Sequence, residues 1–341
     1  MSKIHLTSLS LSELEDWMRA LGEEGYRARQ IFQGIYKQGQ SDCSQFTNLP
    51  LRLREKLNHR FVIKLLERQE EYLSADGTIK YVFKLSDGNY IETVVIPSGV
   101  RQTVCLSTQV GCKFRCAFCA SGLKGFKRNL SAGEIVSQVL ILKHQLNHQI
   151  NNLVFMGMGE PLDNLHEVIK AIRILNDKQG MDIGARRITV STAGIVPGIK
   201  KLKDLNLQIN LSISIHSPFD RQRTELMPIN QKYPLAELVA AAEDYLKGSG
   251  RQLTLEYILI KNFNDRLYEA EGLAAIARRL KAKVNLIAYS PVSNLPYVRP
   301  GQEEMQRFQK WLEERKVRTT VRKSKGLDIA AACGQLTGRL K

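Results

Sequence analysis

Three closely spaced cysteines constrain this 341-residue chain more than any other feature. Cys112, Cys116 and Cys119 occur at C-x3-C-x2-C spacing in the segment GCKFRCAFC. Three thiolates on one short loop can each bind one iron of a 4Fe-4S cluster, and the fourth iron then stays open to a small molecule. A structural zinc site is the alternative, but it favours four ligands in two close pairs. The spacing therefore favours an iron–sulfur cluster.

The charge balance indicates a polyanionic partner. The chain has 50 lysines and arginines against 34 aspartates and glutamates, which leaves a formal net charge of +16. Such an excess favours nucleic acid as the partner, and cations scattered over a solvated surface are the alternative interpretation. Charge alone does not separate RNA from DNA.

The sequence predicts a cytoplasmic protein without a membrane segment. No apolar run approaches the roughly 18 residues that cross a bilayer. Acidic residues occur in the N-terminal stretch where a signal peptide would be apolar. Thiols stay reduced in the cytoplasm, so we expect the cysteines to serve in metal binding or catalysis.

Three segments with different periodicities follow one another along the chain. Residues 1–60 read as a small helical, RNA-binding accessory domain, with Ser12 and Glu15 as a capping box for its first helix. Residues 61–100 contain two strand patterns joined by the turn SDG, which predicts a β-hairpin linker region. Residues 101–341 alternate strand and helix patterns and end in the segment that carries the last cysteine.

The alternation in the third segment predicts an α/β fold. The clearest helical pattern follows a capping box formed by Ser131 and Glu134. The predicted strands are TVCLST, NNLVFMG, RITVST, INLSISI, LTLEYIL, VNLIAYS and VRTTVR. Repeated β–α units form a parallel sheet covered by helices, either as an open sheet or as a barrel. Ligands bind at the carboxyl ends of such strands.

Polar residues follow several of these strands and are candidate ligand contacts. Gly159 and Glu160 come directly after NNLVFMG, where glycine lets the backbone approach a ligand and the carboxylate can accept from an ammonium group. The polar residues at later strand ends are Ser191, Ser214, His216 and Ser290. Capping of the local backbone is the alternative role of such serines.

Several segments together resemble the RlmN and Cfr family of radical S-adenosylmethionine (SAM) RNA methyltransferases, which act on adenosine ring carbons. The cysteine spacing resembles the radical SAM signature, and Gly159 with Glu160 resembles its GGE position. The more specific segments are RNL after the cluster motif, GMGEPLDN, RRITVSTAGIVPGI, HSPFDRQRTELMPINQKYP and ACGQL. The likeness extends from GYRARQIFQGIYKQG to Leu336. It implies a radical SAM partial (β/α)6 barrel with the cluster loop after its first strand.

The resemblance also implies a role for individual residues. The cysteines at 112, 116 and 119 would hold the cluster. The methyl-carrying cysteine of the family matches Cys333, its second catalytic cysteine matches Cys105, and its proton acceptor matches Glu92. The positions that contact SAM match Gly159, Glu160, Ser191, Ser214, Ile215, His216 and Ser290. Cys43 is interpreted as an inert buried thiol.

The implied activity is methylation of C2 of an adenosine in 23S ribosomal RNA and of the adenosine 3′ of the anticodon in tRNA. An adenine ring carbon is not nucleophilic, so a radical route through a methylated Cys333 avoids an unfavourable polar transfer. Release would leave a disulfide between Cys105 and Cys333 that a reductant reopens. The implied cofactors are a 4Fe-4S cluster and SAM. The implied partners are the two RNAs and an electron donor such as flavodoxin or ferredoxin, and we expect a monomer.

Cations near the cluster motif and near the last cysteine are candidate phosphate contacts around the target base. They are Lys113, Arg115, Lys124, Lys127, Arg128, Arg318, Arg322, Lys323 and Lys325. A solvated surface is the alternative role for each of them.

Two other functions remain open from sequence. Pro161 favours the RlmN type, whereas Ala330 and Ser290 depart from residues usual in it, and the tract HSPFDRQRTELMPIN leans towards the Cfr type, which methylates C8. A non-catalytic RNA-binding protein with a structural or sensing cluster is the alternative from another class. Such a protein would not need Cys105, Cys333 and Glu92 together.

Overall fold

The computed structural model describes residues 3–63, 66–205 and 207–338. The helices are α1 (Leu11–Ala20), α2 (Gly25–Tyr36), α3 (Leu51–Arg60), α4 (Ala120–Leu123), α5 (Ala132–Leu140), α6 (Leu165–Asn176), α7 (Val196–Lys203), α8 (Asp220–Leu226), α9 (Leu235–Ser249), α10 (Leu267–Arg279) and α11 (Gln302–Glu314). The strands are β1 (Ile4–His5), β2 (Phe61–Val62), β3 (Glu67–Leu73), β4 (Ile79–Lys84), β5 (Tyr90–Ser98), β6 (Arg101–Cys105), β7 (Gln109–Gly111), β8 (Phe126–Asn129), β9 (Ile150–Phe155), β10 (Ile188–Thr192), β11 (Asn210–Ser214), β12 (Thr254–Leu259), β13 (Lys283–Ala288) and β14 (Thr319–Arg322). None of the helices in these ranges is long and apolar enough to cross a membrane.

One ten-stranded sheet organises the molecule, in the spatial order β14-β13-β12-β11-β10-β9-β6-β5-β4-β3. Neighbouring strands are parallel from β6 through β9 to β14. The strands β6 and β9 to β13 are each followed by helices, and the cluster motif lies between β6 and α5. The predicted α/β class and partial (β/α)6 barrel are confirmed, and β14 adds one more parallel strand at the edge.

The parallel strands are apolar on the outer face and largely polar on the inner face. In β12, which is buried throughout, Leu255 and Tyr257 belong to the main apolar core, which the surrounding helices cover. The alternate residues Thr254 and Glu256 line internal cavities instead. Asn285 of β13 stands in register with Glu256. The polar inner face is where the site is built.

The predicted hairpin is present in residues 61–100. β4 and β5 are antiparallel, with Lys84 opposite Tyr90 beside the connecting turn. β5 also pairs with β6, and β4 pairs with β3. The hairpin therefore extends the sheet that carries the parallel strands.

The first helix begins earlier than the sequence predicted. Ser10, not Ser12, caps α1, because its backbone N–H donates to the Glu13 carboxylate and its Oγ accepts from the Glu13 N–H. Both Ser-x-x-Glu pairs fit the pattern, but the cap at Ser10 adds the helical bond from the Leu14 N–H to the Ser10 carbonyl. The capping box predicted at the start of α5 is confirmed.

The N-terminal helices pack directly on the sheet unit. Tyr36 of α2 belongs to the same buried apolar cluster as the sheet. Lys170 of α6 forms an ion pair with Glu13 of α1 at 2.6 Å. The division into three segments stays a proposal about how the chain is organised.

Candidate active site

A cleft opens at the carboxyl ends of the parallel strands, where the fold class predicts ligand binding. It holds about 910 Å³ of empty space, part of which is open to solvent. The predicted site residues in its wall are Cys112, Cys116, Cys119, Gly159, Glu160, Ser191, Ser214, His216 and Cys333.

The three cysteines of the motif lie on a loop that is anchored by backbone hydrogen bonds. Cys112 follows β7, and its backbone N–H donates to the Gly125 carbonyl. Cys119 precedes α4, and its N–H donates to the Cys116 carbonyl at 3.0 Å. Gly111 has φ +74°, and a Cβ there would lie 1.8 Å from the Gly125 oxygen, so the turn requires glycine. The fold thus presents three thiols on one wall of the cleft.

Three thiols on one loop are the donor set that a 4Fe-4S cluster takes. Burial raises the pKa of all three thiols, so a bound cation is needed to keep them as thiolates at neutral pH. Within the described ranges, no group of three or more His, Cys, Asp or Glu side chains is close enough to hold one metal ion. The thiolates of a 4Fe-4S cluster bind different irons and therefore stand farther apart.

Glu160 is fixed between two strand ends. Gly159 has φ +98°, and a Cβ there would lie 2.5 Å from the Gln109 Cβ. The Glu160 Oε2 accepts from the Ala193 N–H at 2.7 Å, and Oε1 accepts from the Leu162 N–H at 3.0 Å. Burial raises the pKa of Glu160 to about 7. A bound ammonium group would favour the ionised form and lower that pKa again. The site therefore suits the amino group of SAM.

His216 is held as a neutral imidazole after β11. It is buried at φ +54°, and its Nδ1 accepts from the Ile258 N–H at 3.1 Å, which places the proton on Nε2. Burial lowers its pKa to about 3. Its ring meets Phe118 of the cluster loop edge-on, with centroids 4.9 Å apart. His216 can donate a hydrogen bond to a ligand, and it is not a base at neutral pH.

Two predicted SAM contacts lie outside the wall of the cleft. Ile215 is buried, and its backbone N–H donates to the Glu256 carbonyl at 3.0 Å. Ser290 follows β13 and is buried, and its Oγ has no hydrogen-bond partner among the described residues. Their contact with SAM stays a prediction.

A buried arginine that sequence reasoning missed ties two of the strand ends together. Arg223 of α8 donates to the carbonyl oxygens of Ala193, Ser214 and Ile215 at 2.7, 3.1 and 3.2 Å. It is fully buried and also donates to the Asn230 Oδ1 at 2.7 Å. The tract around it was recognised, but charged residues are mostly exposed and nothing local marks this one as buried. Arg223 fixes the backbone that presents Ser214 to the cleft.

A second cavity joins Cys105 to the cleft. Cys105 ends β6 and is 7% exposed, and it lines this cavity together with Cys333 and Arg322. The latter two also line the cleft. All the cysteines are free, so the predicted Cys105–Cys333 disulfide is not present within the described residues. The structure nevertheless brings the two predicted catalytic cysteines to one cavity, with Cys333 at its junction with the cleft.

Glu92 lines neither cavity and is bound to the segment that follows Cys333. Its Oε2 accepts from the backbone N–H groups of Thr337 and Gly338, the latter at 2.9 Å. Its Oε1 pairs with the Lys80 Nζ at 3.2 Å, and the two side chains are 1% and 6% exposed. The predicted proton acceptor is therefore a buried side chain that fastens the C-terminal segment to β5.

Replacing Lys80 with methionine is expected to lower the free energy of unfolding by about 3 kcal/mol, because it leaves the Glu92 carboxylate buried without its cation. Urea unfolding followed by circular dichroism measures this change. The matched control is the double variant Lys80→Met/Glu92→Gln, which should recover most of the loss because the neutral amide oxygen still accepts both backbone bonds. Equal stability of Lys80→Met and the wild type would show that the pair does not hold the segment.

Five of the cations that were predicted to contact phosphate already have contacts within the protein. Two of them are Lys124, which donates to a backbone carbonyl at 3.0 Å, and Lys127, which donates to an asparagine side chain at 2.7 Å. Arg128 donates to Glu134 through two bonds at 2.8 and 2.9 Å. Lys113 forms an ion pair with Asp163. Arg322 lines the two cavities. Contact of these cations with phosphate stays a prediction.

Two family models match the chain. The radical SAM superfamily model matches residues 106–271, which include the cluster loop and the strands β9 to β12. The model of the ribosomal RNA large subunit methyltransferase N-terminal domain matches residues 4–63.

Curated relatives match over nearly the whole chain. A "Probable dual-specificity RNA methyltransferase RlmN" from Symbiobacterium thermophilum is 45% identical over 338 residues, which cover 98% of this chain and 91% of the relative. The protein of the same description from Geobacillus kaustophilus is 45% identical over 97% of this chain and 92% of its own length.

Solved structures agree with the fold. The crystal structure of a radical SAM methyltransferase from Sphaerobacter thermophilus superimposes with a TM-score of 0.94 at 44% identity, covering 98% of this chain and 100% of that one. The hydrogenase maturase HydG from Carboxydothermus hydrogenoformans gives a TM-score of 0.50 at 20% identity, covering 67% of this chain and 55% of that one, and shares the fold alone.

Proposed function

Because the chain belongs to the RlmN family of radical SAM RNA methyltransferases, we propose that it methylates C2 of an adenosine in 23S ribosomal RNA and of the adenosine 3′ of the anticodon in tRNA. The chain is a SAM-dependent RNA methyltransferase, and its family implies a 4Fe-4S cluster and SAM. The proposed methylation of adenosine C2 rests most on the position of Cys333. This residue lines both the cleft and the cavity of Cys105.

The residues of the cleft divide into holders of the cofactors and a carrier of the methyl group. Cys112, Cys116 and Cys119 would hold the cluster, and Glu160 would hold the amino group of SAM. When bound, the reduced cluster and SAM supply the radical that removes a hydrogen atom from a methyl group. Cys333 carries that methyl group as a thioether, and its place in the cleft wall lets it face both the cofactor and the target adenine.

The remaining residues complete the reaction after the methylene group has joined the adenine ring. Glu92 takes the proton that leaves the ring carbon, and the unpaired electron that remains on the ring would pass to an electron acceptor such as the oxidised cluster. Its carboxylate is bonded to Thr337 and Gly338, so the C-terminal segment must shift before Glu92 can accept the proton. Cys105 then attacks the sulfur of Cys333 and frees the methylated base, which leaves a disulfide for a cellular reductant to reopen.

The RNA must present its target adenine outside a stacked helix, because a protein cleft cannot reach a ring carbon within one. The net charge of +16 favours association with either RNA. We further propose that the N-terminal helices contribute to RNA binding and that a cytoplasmic flavodoxin or ferredoxin supplies the electron. The protein would act as a monomer.

Deletion of the gene is expected to remove 2-methyladenosine from 23S ribosomal RNA and from the susceptible tRNAs of the native host. The measurement is mass spectrometry of nucleosides from both RNA fractions, with standards for 2-methyladenosine and 8-methyladenosine. Re-expression of the wild-type chain should restore the nucleoside, and the Cys333→Ala variant should not. Full retention of 2-methyladenosine with loss of 8-methyladenosine would replace the C2 assignment with C8.

A further inference from the structure

Arg322 stands at the meeting point of three cavities. It is the last residue of β14. It lines the cleft and the cavity that holds Cys105 and Cys333. It also lines a polar cavity inside the barrel at the amino ends of the strands. The sequence had suggested an outward phosphate contact for this residue. Arg322 is partly buried and shares a cavity wall with two thiols. This position requires another explanation, because removing a cation from water is costly unless something compensates it.

Met156 links Arg322 to Cys105. The Arg322 Nη1 lies 3.7 Å from the Met156 Sδ, and the backbone N–H of Met156 donates to the Cys105 thiol. Val154, two residues before Met156, stands in register with Cys105 on the neighbouring strand. Met156, which directly follows β9, therefore contacts both the Arg322 guanidinium and the Cys105 thiol.

The charges around Arg322 are complementary to it. Its pKa is raised by the neighbouring Cys333, then by Glu256 and Cys105. Glu256 is buried, and its Oε2 has no hydrogen-bond partner among the described residues. Burial raises the pKa of Cys105 to about 12, and Arg322 opposes that rise. Lys323 and Lys325 are the other cations in the wall of the second cavity.

We propose that Arg322 is the positioning residue for the release step, in which it stabilises Cys105 as the thiolate that attacks the Cys333 sulfur. This rests on the proposed function. The electron pair of the Cys105 thiolate forms the sulfur–sulfur bond, and the bond between the Cys333 sulfur and the methylene carbon breaks. That carbon keeps the electron pair and takes a proton from water, so the two thiols are oxidised to a disulfide while the methylene becomes a methyl group.

Loss of the charge at position 322 is expected to slow release without blocking the earlier steps. An adjacent charge shifts a thiol pKa by about 1 to 3 units, and the higher nucleophilicity of a more basic thiolate offsets about half of the lost thiolate fraction. We therefore expect Arg322→Met to release methylated RNA about 3- to 30-fold more slowly. Arg322→Lys should restore part of the rate because it keeps a cation without the guanidinium geometry.

The test is an anaerobic single turnover of the reconstituted full-length enzyme with an RNA substrate. Mass spectrometry follows methylation of Cys333, the protein–RNA crosslink and the released methylated adenosine. Arg322→Met should methylate Cys333 and form the crosslink at the wild-type rate, but the crosslink should persist. The difference in release rate between Arg322→Met and the wild type should narrow as the pH rises towards the pKa of the Cys105 thiol, which a purely structural defect would not do. Lys310→Met removes a cation from the exposed side of α11 and is the matched control.

The outcomes separate the two proposals. Release from Arg322→Met at the wild-type rate, or a release rate that stays the same fraction of the wild-type rate at every pH, overturns the role of Arg322 alone. Arg322→Gln is measured in parallel, so that a folding defect of the methionine variant does not decide the result. If the wild type releases no methylated adenosine and Cys105→Ala forms no crosslink, the proposed function fails, and the role of Arg322 fails with it.

Discussion

Replacing Cys105 with alanine is expected to leave the enzyme covalently attached to its RNA through Cys333. In the proposed reaction the variant retains Cys333, which carries the methyl group, and loses Cys105, which attacks the Cys333 sulfur. The covalent adduct between Cys333 and the RNA therefore forms and cannot be released. Turnover should fall by at least about 10³-fold, as expected for loss of a residue that acts directly in bond cleavage. Denaturing electrophoresis and mass spectrometry of the anaerobic reaction should show a protein–RNA species with the RNA at Cys333.

The double variant Cys105→Ala/Cys333→Ala is the control for this experiment. It should form no crosslink, because the attachment site is gone, and it should keep the fold, because the substitutions remove only small side chains. A crosslink that persists in the double variant would place the attachment elsewhere. Rapid multiple turnover by Cys105→Ala would remove Cys105 from the release step and exclude the proposed disulfide.

The architecture of the third segment could be predicted from local patterns because each strand carries its own periodic signal. The strand RITVST became β10 and LTLEYIL became β12, and parallel pairing follows once helices separate the strands. The start of α1 could not be settled in the same way. Ser10 and Ser12 offer the same motif, and the choice depends on a hydrogen bond that sequence alone does not show.

The candidate site was predictable where its residues share one short segment or one edge of the sheet. Cys112 to Cys119 lie on one loop, and Glu160 and Ser214 follow or end parallel strands at the same edge of the sheet, so the topology brings them to the same cleft. The role of Arg223 was not predictable, because only the folded chain shows that a charged side chain is buried and bonded to carbonyl groups.

Contacts between distant parts of the chain were the hardest to foresee. Glu92 binds the backbone at Thr337 and Gly338, which lie about as far from it in sequence as the chain allows. The amino-acid sequence does not show which backbone N–H groups a side chain will bind. The sequence therefore predicts only the role of a base for Glu92. The structure adds that Glu92 fastens the segment that carries Cys333. In the proposed reaction, proton transfer to Glu92 and movement of that segment are therefore coupled.

Replacing Cys116 with alanine is expected to abolish both iron binding and methylation. With two thiolates left, the loop can no longer hold a cluster whose fourth iron is open to SAM, so Cys333 receives no radical chemistry and activity should fall to the background. The Cys116→Ala protein, purified without oxygen, should contain no iron and show no visible absorbance.

Cys43→Ala is the matched control, because Cys43 is also a buried free cysteine but lies in the N-terminal helical region, away from the cleft. It should keep iron and activity. Cys333→Ala should keep the iron and lose only methylation, which separates the cluster site from the methyl carrier. RNA methylation by an iron-free Cys116→Ala protein would contradict the radical mechanism, because that mechanism begins with a radical generated at the cluster.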